Sequence, residues 1–292
     1  MIVNSESLSS LTTGFKAAFK EGLQNKKFNW SEIATVVKSV TLTEDYAFIS
    51  NFPMLREWVG DRVLKNAEQF SYSLKNKDYE ATIQVNRNRI EDDQYGVYTP
   101  IFQSAGYAAA EHIERLVFDA VKNATTDLCY DGEAFLSASH PVGNSTVSNY
   151  ATGGSALWML LDNSRPLKPF IYQERKPVEL VAKVDPKDDS VFMRREFLYG
   201  VDGRMAAGYG LWQLVYGSKN TLDATNFNSA YEAMMGFESE EGRPLGIMPT
   251  HLLVGPSNRA AAQAIIEAQF GANGATNTNF GAVKLIVSPY LT

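Results

Sequence analysis

The sequence predicts a mixed α+β protein, in which a helix and an extended segment precede a β-hairpin, a long helix and a second group of strands. Three observations support this fold class. Residues 70–86 alternate apolar and polar side chains, as a half-buried strand does. Residues 99–122 carry apolar side chains at helical spacing. Residues 157–218 and 251–287 contain several short segments rich in β-branched and apolar residues.

Composition narrows the class of protein. The 292 residues are enough for one large domain or two intermixed ones, and 45% of them are hydrophobic. The net charge of -6 argues against a protein that binds nucleic acid tightly without sequence specificity, because such binding needs a basic surface. The one cysteine, Cys129, cannot form an internal disulfide and fits a reducing cytoplasm. We find no signal peptide and no apolar run long enough to span a membrane.

The N-terminal region combines a helix with an extended segment. Apolar residues over 8–23, Phe15 and Phe19 among them, recur near helical spacing and predict a short amphipathic helix. Residues 34–42 are β-branched and alternate in character, which favours an extended conformation. We therefore expect this region to be a helix joined to an extended arm, and not a compact core.

Residues 70–86 give the clearest local pattern. Two alternating segments flank residues 75–78, a polar stretch typical of a turn, and together they predict a two-stranded hairpin. A lone hairpin is marginal in water, so its apolar face must pack on this chain or on a neighbour. The pattern alone favours packing on the chain's own domain.

The long helix over 99–122 has its own start signals. Thr99 is a candidate N-cap, and Pro100 suits the first helical position. Residues 125–155 are polar and resemble a loop. Later strands are predicted at 157–161, 170–172, 179–184, 191–199, 211–216, 251–254 and 283–287, and helices at 226–236 and 258–270.

Catalytic motifs are scarce. His112, His140 and His251 lie far apart in sequence, and none belongs to a zinc-binding spacing. Cys129 and His140 could form a thiol nucleophile and its base, but no cysteine-protease signature surrounds Cys129. The run Leu128-Cys129-Tyr130 favours a buried structural cysteine instead. The sequence therefore predicts no cofactor, no metal site and no enzyme.

Eight segments, in order along nearly the whole chain, resemble the major head subunit family of Mu-like phages. The most specific is FLYGVDGRMAAGYGLWQLVYGS at 197–218. The others are FPMLREWVGDR at 52–62, IEDDQYGVY at 90–98, LCYDG at 128–132, SHPV at 139–142, LLDNSRPLKP at 160–169, RPLGI at 243–247 and VSPYL at 287–291.

The resemblance implies the tailed-phage major capsid fold of the Hong Kong 97 type, with an N-terminal arm, an extended hairpin loop, a spine helix, and peripheral and axial domains. Carried onto this chain, these parts are the arm at 1–65, the hairpin loop at 66–96, the peripheral domain with its spine helix at 97–124 and 157–220, a loop-rich insertion at 125–156, and the axial domain at 221–292. The segment that resembles the peripheral strands precedes the one that resembles the axial domain, so we expect the order to be permuted relative to commoner capsid chains. A structure with 157–218 around the capsomer axis would refute that.

The resemblance also implies a function. The chain would be a structural capsid protein that self-assembles, as hexamers and pentamers, into the icosahedral shell around phage DNA. Its partners would be copies of itself, a separate scaffolding protein, a portal and possible decoration proteins. DNA would be contained without being specifically bound, and no membrane would be involved. The protein would be assembled in the host cytoplasm and end in the virion capsid.

Apolar and flanking residues of the arm and hairpin are the candidates for contacts between subunits. They are Phe70, Tyr72, Leu74, Tyr79, Ile83, Val85, Phe15, Phe19, Trp58 and Arg62. Three other functions stay open. A nanocompartment shell of the same fold would be recognised by its neighbouring genes. A Cys129/His140 hydrolase would lose turnover when both residues become alanine, and a binding protein would stay monomeric under all conditions.

Overall fold

The computed structural model describes residues 5–25, 28–46, 72–91, 96–185, 187–271 and 274–291. In these ranges the α-helices are α1 (Ser5–Gln24), α2 (Trp30–Ile33), α3 (Arg87–Glu91), α4 (Tyr98–Asn123), α5 (Asp189–Arg194), α6 (Ala224–Met235) and α7 (Arg259–Ile266). The strands are β1 (Ala34–Lys38), β2 (Thr43–Asp45), β3 (Ser73–Lys75), β4 (Lys77–Asn86), β5 (His140–Val142), β6 (Ser145–Val147), β7 (Tyr150–Ala151), β8 (Trp158–Leu161), β9 (Phe170–Lys183), β10 (Glu196–Tyr209), β11 (Val215–Ser218), β12 (His251–Val254) and β13 (Lys284–Val287). None of the described helices combines the length and apolar character that crossing a bilayer demands.

Two mixed sheets organise the fold. The first has the strand order β1-β9-β10-β4, with β1 parallel to β9 and β10 antiparallel to both of its neighbours. The second has the order β13-β12-β8-β11-β7. The chain leaves the second sheet after β8, forms the long β9–β10 hairpin of the first sheet, and returns as β11. This arrangement of helices and mixed sheets confirms the predicted α+β class.

Two hydrophobic cores stabilise these layers. The main core joins both sheets and includes the fully buried side chains of Trp158, Phe170 and Trp212. A smaller core lies where α1 and α4 cover the far half of the first sheet. Its buried residues are Leu8, Phe15, Ala18, Phe19, Val85, Ile90, Phe102, Leu180, Val191, Phe197, Tyr199 and Val201.

The long helix α4 is confirmed at Tyr98–Asn123, one residue longer at each end than predicted. Val97 occupies the N-cap position, so Thr99 lies inside the helix and not at its cap. One buried residue of α4 is charged: Glu114 is 3% exposed and accepts the backbone N–H groups of Asn29 and Trp30 at 3.3 and 2.8 Å. Because the first N–H groups of a helix lack internal partners, this carboxylate stabilises the start of α2.

Helix α1 lies directly against α4 through glycines. A Cβ atom at Gly22 would lie 1.9 Å from the carbonyl oxygen of Gln103, and one at Gly106 would lie 2.0 Å from that of Phe19. Only glycine permits such a close approach of two backbones. The expectation that the N-terminal region lacks a compact core is therefore wrong for its described part: α1 completes the smaller core, and β1 forms an edge strand of the first sheet.

The predicted hairpin between residues 70–75 and 79–86 is also wrong. Strand β3 pairs with β2, whereas β4 pairs with β10. The change of partner occurs at Asn76, which is 3% exposed. Its side-chain amide donates to Ser39 Oγ at 2.9 Å, and its Oδ1 accepts from Gln173 Nε2 at 2.9 Å. Asn76, the polar residue that suggested a turn, is thus buried, and its hydrogen bonds join the β2–β3 sheet to the first sheet.

Several later predictions need correction. The two strands predicted at 170–172 and 179–184 are one continuous strand, β9. The strand predicted at 191–199 begins instead with the helix α5, and residues 212–214 form a 3-10 helix. Helix α7 ends at Ile266, four residues before the predicted end. The sheet that contains β8, β11 and β12 crosses the predicted domain boundary at 220, so these segments share one layer.

Candidate functional site

The structure places the predicted interface residues in three different environments. Phe15, Phe19 and Val85 are buried in the smaller core, so contact with a neighbour through them would require that packing to open. Four are half-buried against this chain: Tyr72, Leu74, Tyr79 and Ile83. Phe70, Trp58 and Arg62 lie outside the described residues. The role of all ten as subunit contacts stays a prediction.

Tyr72 lies directly before β3. Its hydroxyl oxygen accepts the backbone N–H of Tyr209 at 3.2 Å, and its carbonyl accepts the N–H of Tyr46 at 2.7 Å. Burial raises the pKa of the Tyr72 hydroxyl to about 12, so it stays protonated at any assembly pH. Tyr46 and Tyr72 are thus hydrogen-bonded to each other, although 25 residues separate them in the sequence.

The β2 side of this junction is organised by Glu44. Its carboxylate accepts hydrogen bonds from the backbone N–H groups of Val40 and Thr41, at 2.7 and 3.0 Å, and from Ser39 Oγ at 2.9 Å. The bonds from Val40 and Thr41 are the main reason that the pKa of Glu44 falls to about 2. An ionised Glu44 therefore holds the turn between β1 and β2.

Tyr79 and Ile83 line a groove between α4 and the first sheet. The groove has a volume of about 660 Å³ and is bounded on the helix side by Ala105, Ala109 and His112. The Tyr79 ring meets the His112 ring edge-on, with 4.4 Å between centroids. Burial and the nearby Arg115 lower the pKa of His112, which favours the neutral ring at neutral pH. The groove is thus a largely apolar surface along the long helix, and its lining also includes the charged residues Glu80, Glu111, Arg115 and Asp202.

A buried polar cluster brings Cys129 and His140 together, as the hydrolase hypothesis required. Asp131 lies between them: its Oδ1 accepts from Cys129 Sγ at 3.1 Å, and its Oδ2 lies 2.7 Å from His140 Nδ1. The imidazole ring stacks on Trp212 at a centroid distance of 4.1 Å and an interplanar angle of 6°. His140 is fully buried, so the loop after α4 is locked onto the 3-10 helix before β11.

The hydrogen-bond partners decide what His140 can do. Asn149 Nδ2 donates to the carbonyls of Phe135 and Trp212, so Asn149 Oδ1 is the atom that faces His140 Nε2, at 3.1 Å. An oxygen of this kind can only accept, so Nε2 carries a proton. The other nitrogen faces the Asp131 carboxylate. Neither nitrogen is free to act as a base toward a substrate.

The thiol is equally unsuited to catalysis. Burial and the neighbouring Asp131 raise the pKa of Cys129 well above its usual value, whereas thiol nucleophiles need a lowered one. Burial alone would raise the pKa of Asp131, but hydrogen bonds from His140 and Cys129 lower it below its usual value. Cys129, Asp131 and His140 lie close enough to hold a metal ion, but Asp131 already bonds to both Cys129 Sγ and His140 Nδ1. We infer that the cluster stabilises the fold by joining the loop after α4 to the 3-10 helix before β11.

We expect Cys129 to be unreactive in the folded protein. Because the thiolate is the species that reacts, alkylation by iodoacetamide at pH 8 should be slower than in urea-unfolded protein by more than about tenfold. Mass spectrometry after timed quenching measures both rates, and the unfolded chain is the control. Equal rates in the two states would contradict the structural role of this cysteine.

Comparison with known proteins identifies the family of this chain. A family model described as Mu-like prophage major head subunit gpT matches residues 8–291. The chain belongs to this family. It is 37% identical over 305 residues to the major capsid protein of Escherichia phage Mu, with 100% of both proteins covered. It is 39% identical to the Mu-like prophage FluMu major head subunit of Haemophilus influenzae, with 99% of both covered.

Solved structures agree with the family. The chain resembles a subunit in the procapsid of bacteriophage JBD30 with a TM-score of 0.89 and 39% identity, covering 99% of this chain and 100% of that one. It resembles a subunit of the JBD30 capsid with a TM-score of 0.81 and 31% identity, with both chains fully covered. The tailed-phage capsid fold predicted from the sequence is therefore confirmed, and this conformation is nearer to the procapsid one.

Family membership also decides between the functions left open. This Mu-like head subunit is a structural protein that forms the shell of a phage head, and its family is not one of enzymes. The Cys129/His140 hydrolase reading is thereby set aside, in agreement with the buried geometry. The nanocompartment reading is likewise not favoured, since the relatives at full length are phage head proteins.

Proposed function

We propose that copies of this chain form hexamers and pentamers, which close into an icosahedral head around packaged DNA in the host cytoplasm. The observation that supports this most strongly is the full-length likeness to subunits of the JBD30 procapsid and capsid. Closed point-group symmetry repeats a few contacts many times, so each subunit needs complementary surfaces more than a pocket. A scaffolding protein would guide closure, and a portal would occupy one vertex.

We propose further that contacts between subunits involve residues 47–71, which lie between β2 and β3 in the sequence. Trp58, Arg62 and Phe70 belong to this segment. The residues that precede and follow it, Tyr46 and Tyr72, are joined by a backbone hydrogen bond. The apolar groove beside Tyr79 and Ile83 offers a receiving surface on the adjacent subunit.

Two further parts of the proposal concern the charge of the shell wall and the proteins that decorate the shell. The net charge of -6 suits a wall that encloses DNA without holding it, because a basic wall would bind phosphates tightly. One JBD30 capsid structure is decorated with minor capsid protein trimers. We propose that the shell of this Mu-like head subunit is decorated in a similar way.

Electron microscopy of the expressed protein tests the proposed assembly. With its scaffolding protein supplied, we expect rings of five and six subunits and closed shells, because many weak identical contacts act together. Expression of the scaffolding protein without this chain is the control. Particles that remain single subunits at all concentrations, with scaffolding protein present, would contradict the proposal.

A further inference from the structure

The short helix α5 presents two adjacent large apolar side chains to solvent. It connects β9 to β10 at the end of their long hairpin, where Lys183 pairs with Leu198. Phe192 and Met193 on this helix are 79% and 74% exposed. Single exposed apolar residues are common on protein surfaces, but a neighbouring pair of this size indicates a contact surface.

The rest of α5 holds this pair in a fixed position. Val191 is 5% exposed and packs in the smaller core. The N–H of Arg195 donates to the carbonyl of Val191 at 3.1 Å, which closes the helix. Arg195 itself has a left-handed backbone with φ of 55°, a conformation that costs free energy for a residue other than glycine. Helix α5 is therefore anchored to the smaller core by Val191, and Phe192 and Met193 project from it into solvent.

Charged residues of opposite sign flank the apolar pair. Asp189 begins the helix and Arg194 ends it, and both are exposed. Arg195 follows, also exposed. Within the described part of the chain, these three side chains form no ion pair. The surface thus carries an acidic end, an apolar centre and a basic end, and its charges have no ion-pair partner among the residues that the structure describes.

We propose that α5 docks on α5 of a second copy of this chain, with Phe192 and Met193 at the centre and the acidic end of one helix beside the basic end of the other. The pattern is self-complementary, because copies related by symmetry can place Asp189 of one against Arg194 of the next. Such a contact buries both apolar pairs and gives the unpaired charges their partners. The inference deepens the proposed function, on which it rests, by naming one surface that joins copies.

A charge exchange tests the orientation of the docked helices. Asp189→Lys alone and Arg194→Glu alone should each raise the protein concentration needed for shell formation by about tenfold, because like charges then meet in every copy of the contact. The double variant Asp189→Lys/Arg194→Glu should assemble nearly as well as the original. If the charges acted only within each subunit, through the helix dipole, the double variant would be affected more than either single variant, since it places both charges against the dipole. Rescue in the double variant can therefore come only from contacts between copies.

An apolar variant tests the centre of the contact. Phe192→Ser/Met193→Ser should leave the subunit folded, because both side chains are exposed, yet reduce closed shells by about tenfold or more. Circular dichroism and thermal unfolding verify the fold. Phe270→Ser is the matched control, since Phe270 is also exposed, at 63%, but lies outside α5. Light scattering and electron microscopy count the shells.

The outcomes separate this inference from the proposed function. If the unmodified chain forms no shells with its scaffolding protein, the proposed function itself fails. If the unmodified chain assembles and the Phe192/Met193 variant assembles equally well, the α5 contact is refuted. The α5 contact is also refuted if the Phe192/Met193 variant forms shells normally but these shells no longer bind decoration proteins. In that case α5 binds a different protein and not a second copy of this chain. Failure of the double charge variant to recover assembly would refute the proposed orientation.

Discussion

Replacing His140 with alanine is expected to lower the free energy of unfolding by about 3–5 kcal/mol, because it empties a ring-sized space in the interior and leaves buried polar atoms without a hydrogen-bond partner. His140 is fully buried between Asp131 and Asn149. Its loss leaves the Asp131 carboxylate and Asn149 Oδ1 without that donor, and it empties the space beside the Trp212 ring. Urea unfolding of unassembled subunits, followed by tryptophan fluorescence, measures the change.

His251→Ala provides the matched control. The His251 side chain is 17% exposed, contacts Thr250 Oγ1 at 2.8 Å and lies 3.8 Å from Glu32. Because Glu32 is 37% exposed and the contact with Thr250 is a single hydrogen bond, we expect a loss of only about 1 kcal/mol. A loss of similar size in the two variants would show that the Asp131–His140–Asn149 link contributes nothing special to the fold.

Placing a methyl group at Gly106 is expected to be as damaging as removing a large core side chain. A Cβ there would lie 2.0 Å from the carbonyl oxygen of Phe19, so α1 and α4 must separate. Overpacking typically costs about 1–3 kcal/mol, and a clash with backbone lies at the upper end of that range. We therefore expect Gly106→Ala to lower the thermal midpoint and to expose the smaller core to limited proteolysis within α1.

Gly14→Ala is the control for the previous variant. Gly14 lies in the interior of α1, as Gly106 lies in the interior of α4, but a Cβ atom at Gly14 would meet no atom within 4 Å. Alanine favours helix over glycine by about 0.5–1 kcal/mol, so this variant should be slightly more stable than the original chain. If Gly106→Ala were also stabilising, the close contact of α1 with α4 would be contradicted.

Local periodicity predicted the elements that are buried along one face or across their whole length. Helix α4 has an apolar stripe over 26 residues, and the buried strand β12 was predicted with its observed bounds, because short-range pattern determines such elements. The same periodicity predicted β4 as a strand but assigned it the wrong partner. Alternation shows which face of a strand is buried and carries no information on the strand beside it.

The candidate sites were less predictable for a related reason. Asp131 and Asn149 were not recognised as partners of His140, because the cluster is formed by a loop folding onto Trp212 and no local spacing marks it. Leu128 was expected to be buried with Cys129 and Tyr130, yet it is 61% exposed. The helix α5 was mistaken for a strand, since its apolar run of Val191, Phe192 and Met193 has no period in so short a segment.

A cryo-electron microscopy map of shells assembled from this chain and its scaffolding protein tests the central claim, that copies of this fold build the head through their own surfaces. We predict a closed shell in which α1 stays on α4 of its own subunit and α5 of each copy meets α5 of another. Residues 47–71 should contact an adjacent subunit. A shell held together only by other proteins, with no contact between copies of this chain, would contradict the account.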